Sequence, residues 1–181
     1  MSIASEPITL SRLLAPVFAA IRKVRTFLLA TALIASVATL AVLTWRIHEV
    51  RRDNAIIAAL KEGEDVPVDA RKASGEVLVA RSHFLLQRDR REEAQTLIDG
   101  SSAMTDPKLR AQLLYNHANA RVRNAIDLVQ RGDIDKAIPL TRLAKDEYRL
   151  ALRLDPQAWD IKYNYDVAMR IVRDFPGYEQ E

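Results

Sequence analysis

The pattern of hydrophobic and polar positions divides the chain into two parts. From Thr26 to Trp45, 20 consecutive residues carry no charge, and a helix of about 20 apolar residues crosses the hydrocarbon core of a bilayer. The pattern therefore predicts a single transmembrane helix over 26–45, preceded by a cytoplasmic N-terminal segment over 1–25.

A cleaved secretory signal is the alternative for this segment. Basic residues up to Arg25 precede the apolar run, and residues 36–38, Ser-Val-Ala, resemble a cleavage site. The run nevertheless stays apolar to Trp45 and closes with Arg46, which favours a retained anchor. Four basic residues precede the span and three follow it closely, so the positive-inside rule favours a cytoplasmic N-terminus and a C-terminal part across the membrane.

Beyond the span, the pattern changes to apolar residues at helical spacing, with no sustained alternation typical of strands. We predict a helical extension and linker over 46–67 and an all-α domain over 68–181, because Gly63 and Pro67 interrupt the first helix. Pro139 falls inside one predicted helix, where we expect a kink or a later helix start. The predicted helices are 69–88, 90–102, 107–131, 133–155 and 157–174.

A Tyr-Asn doublet occurs twice, at 115–116 and at 163–164, with Gly132-Asp133 between them. This order resembles the tetratricopeptide repeat, in which antiparallel helical hairpins recur about every 34 residues. The doublets are 48 residues apart, so each helix of this hairpin gains about two turns over the family pattern. The residues expected to pack between repeats are Tyr115, Asn116, Ala144, Tyr148, Ala151, Pro156, Tyr163 and Asn164.

Charge and cysteine content narrow the classes of function. Residues 1–52 hold seven basic and two acidic residues, whereas the rest hold 20 and 22. The basic character thus belongs to the membrane flanks, where cations meet anionic headgroups, and we expect no nucleic-acid partner. The chain has no cysteine, which excludes disulfides, thiol nucleophiles and cysteine metal sites.

The residues of common catalytic and metal sites do not form a recognisable motif. His48, His83 and His117 lack the i, i+4 spacing of a helical zinc site, and no phosphate loop, nucleophile elbow or dinucleotide fingerprint is present. We expect neither an enzyme nor a bound cofactor.

A partner-binding surface is predicted around the joint between the last two helices. Arg149 and Arg153 lie four apart on one helix, and Trp159 and Lys162 follow the joint. Trp, Tyr and Arg are over-represented in protein interfaces. The alternative interpretation is a solvated face beside a core tryptophan.

The stretch from Leu113 to Arg173 carries a closer resemblance. The lengthened Tyr-Asn-x-x-Asn hairpin, AKDEYRLALRLDP and WDIKYNYDVAMRI, together with one N-terminal anchor, resemble the MxaK family of bacterial methanol-oxidation accessory proteins. Tyr165-Asp166-Val167 departs from the Leu-Glu expected there. The resemblance implies a single-pass protein of the inner membrane whose periplasmic domain serves maturation of a quinone- and calcium-dependent methanol dehydrogenase. It implies as partners a MoxR-type AAA+ ATPase, proteins with von Willebrand A domains, and the dehydrogenase or a related quinoprotein.

Three functions follow as hypotheses. The first is a membrane-anchored scaffold for partner proteins, and the second is a structural subunit of another membrane complex. The third is a calcium-handling insertion factor, using acids such as Asp127, Asp133, Asp135 and Asp160. Calcium requires six to eight converging oxygens, and these acids are interleaved with basic residues, so the scaffold is the preferred hypothesis.

Overall fold

The computed structural model describes residues 10–173, and this part of the chain is helical without strands. The predicted all-α class is confirmed. The helices are α1 (Leu10–Glu62), α2 (Gly75–Gln87), α3 (Arg91–Gly100), a short 3-10 helix (Ser101–Ala103), α4 (Pro107–Gln130), α5 (Ile134–Leu154) and α6 (Trp159–Arg173). The chain separates into two compact units, with the boundary between Val50 and Arg51.

In the first unit, the described apolar side chains of α1 face outward. Phe27 is 69% exposed and Leu33 66% exposed. The hydroxyl groups among them bond within the helix, as Thr31 Oγ1 does to the Phe27 carbonyl at 2.6 Å. This arrangement satisfies the polar groups internally, as a lipid environment demands. By length and composition α1 could span a membrane, a property that signal sequences near an N-terminus share.

In the second unit, one core region lies among the end of α1, α2 and α3. We call it the leucine-phenylalanine cluster, and its large members are Leu60, Leu78, Phe84, Leu85 and Leu97. All five side chains are buried. Burying a side chain of this size stabilises a fold by about 1.5–3 kcal/mol.

The other main core region lies among α4, α5 and α6. We call it the tyrosine cluster, comprising Tyr115, Tyr148 and Tyr165 with the alanines packed beside them, Ala118, Ala144 and Ala151. The helices α4 and α5 run antiparallel, since Arg121 bonds Glu147 while Ala125 packs with Ala137. The chain reverses between these two helices at Gly132, whose φ of +83° lies in the region that glycine adopts without strain.

Local chemistry explains where the helices begin. Asp106 caps α4 by accepting a hydrogen bond from Lys108 N at 2.8 Å, and Pro107 occupies the first turn. The helix α2 begins at Gly75 instead of the predicted 69, because Ser74 caps it and Asp69 forms a turn before it. The helix α5 is continuous from Ile134 through Pro139, so the proline does not delay its start.

The segment predicted as extension and linker contributes to the second unit. Leu60 is buried in the leucine-phenylalanine cluster, and Ile56 packs beside it. Farther along, the Asp65 carboxylate accepts hydrogen bonds from Arg81 and Arg90. Residues 51–66 therefore add contacts that helical periodicity alone did not indicate.

Candidate partner-binding site

The two Tyr-Asn doublets contact each other. Asn164 of α6 donates a hydrogen bond from Nδ2 to the hydroxyl of Tyr115 on α4. The Tyr115 and Tyr148 rings lie 6.3 Å apart between centroids, and Tyr148 lies 5.6 Å from Tyr165. Tilted aromatic pairs at such distances contribute about 0.5–1.5 kcal/mol beyond the area that they bury. The doublets thus help to hold α4, α5 and α6 together.

Tyr148 is the centre of this arrangement. Its side chain is 1% exposed, and its hydroxyl donates to Asn119 Oδ1. Burial raises the pKa of Tyr148 above its usual value, so the hydroxyl stays protonated and keeps this role. The alanines at 144 and 151 are fully buried, one turn on either side of Tyr148, where small side chains let α5 approach its neighbours.

The structure corrects the prediction that the Tyr163 ring packs between helices. Tyr163 is 69% exposed, because α6 turns Ile161, Ala168 and Tyr165 toward the core instead. Pro156 is also exposed, and Asn116 is partly exposed and lines a surface cavity. Tyr165 takes the packing role instead.

The residues predicted to bind partners are on the surface. Trp159 is 76% exposed, and Lys162 Nζ lies 5.0 Å from the centre of its ring, within the range of a cation–π contact. Arg149 Nε donates to the Tyr165 hydroxyl at 3.2 Å, which places it at the edge of the tyrosine cluster. Arg153 is exposed one turn farther along α5. The structure therefore pairs Trp159 with Lys162 and connects Arg149 to α6.

A partly buried ion pair joins α4 to α5, and the sequence pattern did not indicate it. Arg121 Nε donates to both carboxylate oxygens of Glu147, at 2.9 and 3.0 Å, and its Nη2 donates to Gln95. Burial raises the pKa of Glu147 more than Arg121 lowers it. Breaking such a pair leaves a partly buried charge without its partner, so the pair favours one register of α4 against α5.

His117 lies next to this pair and is 2% exposed. Burial first and the Arg121 charge second lower its pKa to about 4, so it is neutral near pH 7. Its Nε2 has no hydrogen-bond partner among the described residues. A single histidine is not a metal site, and residues 10–173 contain no group of three His, Asp or Glu side chains that could hold a metal ion.

A polar cavity of about 540 Å³ lies between α2 and α4. It is lined by His83, Leu86, Gln87, Asn116, Asn119 and Arg123. Neither the doublets nor the periodicity indicated this cavity, because the residues of α2 and α4 that line it are 29 or more positions apart in the sequence.

Comparisons of the chain with protein-family models, with curated proteins and with solved structures found no match.

Proposed function

We propose that this protein is a scaffold anchored by α1 in the bacterial inner membrane, with its helical domain in the periplasm. The domain binds partner proteins during maturation of a quinone- and calcium-dependent methanol dehydrogenase. The partners are a MoxR-type AAA+ ATPase system, proteins with von Willebrand A domains, and the dehydrogenase or a related quinoprotein. The resemblance of residues 113–173 to the MxaK family supports this choice of pathway.

The observation that carries the binding role is the exposure of Trp159. In the second unit, the exposed large hydrophobic side chains among the described residues are Leu143, Trp159 and Tyr163. Two of the three are aromatic and lie one turn apart on α6. A tryptophan left in water beside a tyrosine and a lysine is typical of a protein interface, where a few such residues supply most of the binding free energy.

The geometry of α4 to α6 supports a tetratricopeptide-like arrangement. An antiparallel hairpin is followed by a helix that repeats the Tyr-Asn doublet and packs against the hairpin through Tyr165 and Asn164. In such stacks each unit covers the hydrophobic face of its neighbour and leaves outer faces for partners. The face of α6 that carries Trp159 and Tyr163 is such an outer face.

A pull-down from solubilised membranes tests the proposal. The bait is the full chain with a C-terminal tag, compared with a variant that combines Trp159→Ala and Arg149→Glu. Arg131→Glu is the matched control, since it makes the same charge change at an exposed residue beyond the end of α4. Circular dichroism verifies that each chain is folded.

We expect the wild-type chain and the control to recover a von Willebrand-domain protein or a dehydrogenase subunit, and the double variant to recover neither. Recovery of the same partners by all three chains would place the binding surface away from Trp159. Recovery of no protein by any chain would reject the scaffold role, and calcium binding by the purified chain would then test the insertion-factor alternative.

A further inference from the structure

Another cavity, which we call the His117 cavity, lies where the end of α2, the start of α3 and the middle of α4 meet. Its volume is about 370 Å³, whereas a cavity of about 150 Å³ is enough to hold a benzene ring inside a protein. Leu86 of α2 and Ala120 of α4 supply apolar contacts on its wall. The cavity is therefore large enough for one aromatic ring with a substituent.

The charged groups on the wall of the His117 cavity are balanced or exposed. Arg121 Nε bonds the Glu147 carboxylate, and Arg91 forms an ion pair with Asp89. Glu92, the remaining charged side chain of the wall, is exposed to water. Because both arginines of the wall already have a carboxylate partner, the cavity does not favour an anion, and a neutral ligand fits it best.

The histidine of this wall has an unmet hydrogen bond. His117 is 2% exposed, and its Nε2 is the one buried polar atom of the wall without a hydrogen-bond partner among residues 10–173. The neighbouring Gln95 differs, since its amide donates to Asp99 at 3.0 Å and accepts from Arg121. Buried polar groups in proteins are nearly always paired. The His117 nitrogen is therefore the atom to which a ligand would bond.

The protonation state of His117 determines the chemistry of that bond. Burial lowers the pKa of this ring to about 4, so it is neutral near pH 7, with a proton on one nitrogen and a lone pair on the other. A hydroxyl group can donate and accept, and it therefore satisfies Nε2 in either tautomer. Leu86, Ala120 and the planar guanidinium of Arg121 suit an aromatic ring beside that hydroxyl.

We propose that the His117 cavity binds a neutral phenol group, with the ring against Leu86 and Ala120 and the hydroxyl bonded to His117 Nε2. The group belongs to a free phenolic compound or to a tyrosine side chain of a partner protein, which present the same chemistry. The inference uses neither Trp159 nor the scaffold role, so either proposal can fail while the other holds.

Nuclear magnetic resonance of the full chain in detergent micelles tests this inference. The ¹⁵N signal of His117 Nε2 and the ¹³C methyl signals of Leu86 report on the cavity. The first probes are phenol and toluene, which differ by a hydroxyl group in place of a methyl group. We expect saturable shifts of both reporters with phenol, and an affinity for toluene that is weaker by about five-fold or more, because toluene leaves Nε2 unpaired.

A second pair of probes distinguishes the two sources of the phenol group. These probes are N-acetyltyrosinamide and N-acetylphenylalaninamide, which carry the ring as a protein does. Saturable shifts with N-acetyltyrosinamide, but not with N-acetylphenylalaninamide, would assign the group to a protein side chain. Shifts with phenol and with neither amide would assign it to a free compound.

Variants assign the binding to the cavity, and circular dichroism verifies that each is folded. His117→Leu removes the polar atom and is expected to bind phenol and toluene equally. Ala120→Leu is expected to abolish the shifts, because its larger side chain occupies the cavity. Ala55→Leu, the same change at an exposed position of α1, is expected to bind phenol as wild type does. All chains are measured in the same micelles, so partition of the probes into detergent is the same for each.

Several outcomes would overturn the inference. These are no saturable shift with either phenol or N-acetyltyrosinamide, equal affinity of the wild-type chain for phenol and toluene, or a preference for phenol that persists in His117→Leu. Unchanged binding by a folded Ala120→Leu chain would place the site outside the cavity. If Ala120→Leu does not fold, the comparison of phenol with toluene in His117→Leu decides.

Discussion

The two core regions of the second unit are built in different ways. The leucine-phenylalanine cluster fills its space with large apolar side chains, and ion pairs at its edge join Arg81 and Arg90 to a half-exposed Asp65. The tyrosine cluster combines alanines with tyrosines whose hydroxyl groups are hydrogen-bonded to side chains of α4, α5 and α6. Apolar bulk provides stability without strict geometry, whereas buried hydrogen bonds require one arrangement of the helices. The leucine-phenylalanine cluster therefore contributes mainly stability, and the tyrosine cluster mainly fixes how the helices are aligned.

The largest effect is expected from Phe84→Ala. The Phe84 ring is 3% exposed, and the Arg88 guanidinium lies 3.7 Å from its centre. Removing the ring leaves a cavity, which costs about 3–5 kcal/mol of the free energy of unfolding. Urea unfolding of the full chain in micelles, followed by circular dichroism, measures it. Leu143→Ala, at a half-exposed position, is the control, and an equal loss there would contradict the packing argument.

The pH dependence at His117 tests the burial of this ring on α4. Because burial lowers its folded pKa to about 4 from 6.5, the unfolded chain binds a proton first as pH falls. The contribution of neutral His117 to the free energy of unfolding is complete above about pH 6.5. It decreases by about 3 kcal/mol as the pH falls to 4. Urea unfolding at several pH values measures this slope.

The control for that measurement is His117→Gln, which does not titrate. The raised pKa of Glu147 has the opposite sign, since it lowers stability as pH rises. The difference in pH dependence between wild type and variant is therefore the contribution of His117 alone. A variant with the same slope as wild type would show that folding does not lower the pKa of His117.

Overpacking tests the alanines of the tyrosine cluster. Ala151 is fully buried, so Ala151→Leu forces α5 away from its neighbours and is expected to cost about 1–3 kcal/mol. Thermal unfolding of the full chain measures the loss, with Ala55→Leu at an exposed position of α1 as the matched control. If Ala151→Leu were as stable as wild type, the close approach of the helices would not depend on small residues.

The smallest effect is expected from single hydroxyl groups. Tyr148→Phe leaves Asn119 Oδ1 without its donor and should cost about 1 kcal/mol. Tyr165→Phe should cost less, because its hydroxyl accepts a bond from an exposed Arg149 that water can replace. Urea unfolding of both variants measures the two losses of free energy of unfolding. A larger loss for Tyr165→Phe than for Tyr148→Phe would show that the more important buried hydrogen bond is not the one at Tyr148.

Much of the fold was predictable because its signals are local. Pro107 and Gly132 mark helix ends by their own backbone preferences, and the uncharged run from Thr26 identifies α1 without reference to any partner. The lengthened hairpin followed from the spacing of the doublets. These signals depend on neighbouring residues or on spacing along the chain, so the sequence displays them directly.

The missed contacts depend on which helix faces which. Arg121 reaches Gln95 and Glu147, each 26 residues away, and periodicity cannot assign such partners. Tyr165 and Tyr163 lie two residues apart on α6, and about 200° of helical rotation separates the partly buried ring of Tyr165 from the exposed ring of Tyr163. The predicted partner residues at 149, 153, 159 and 162 stay a prediction, since surface position alone does not identify what binds.

The bond between Asn164 and Tyr115 has a consequence for folding during synthesis. It joins residues 49 apart, whereas α4 and α5 are consecutive and can pair as soon as both have emerged. At about 5–20 residues per second, the 19 residues from Leu154 to Arg173 take about one to four seconds to make. For that interval the nascent hairpin exposes the tyrosine face that α6 later covers. Any chaperone that acts on this protein during synthesis would meet that face first.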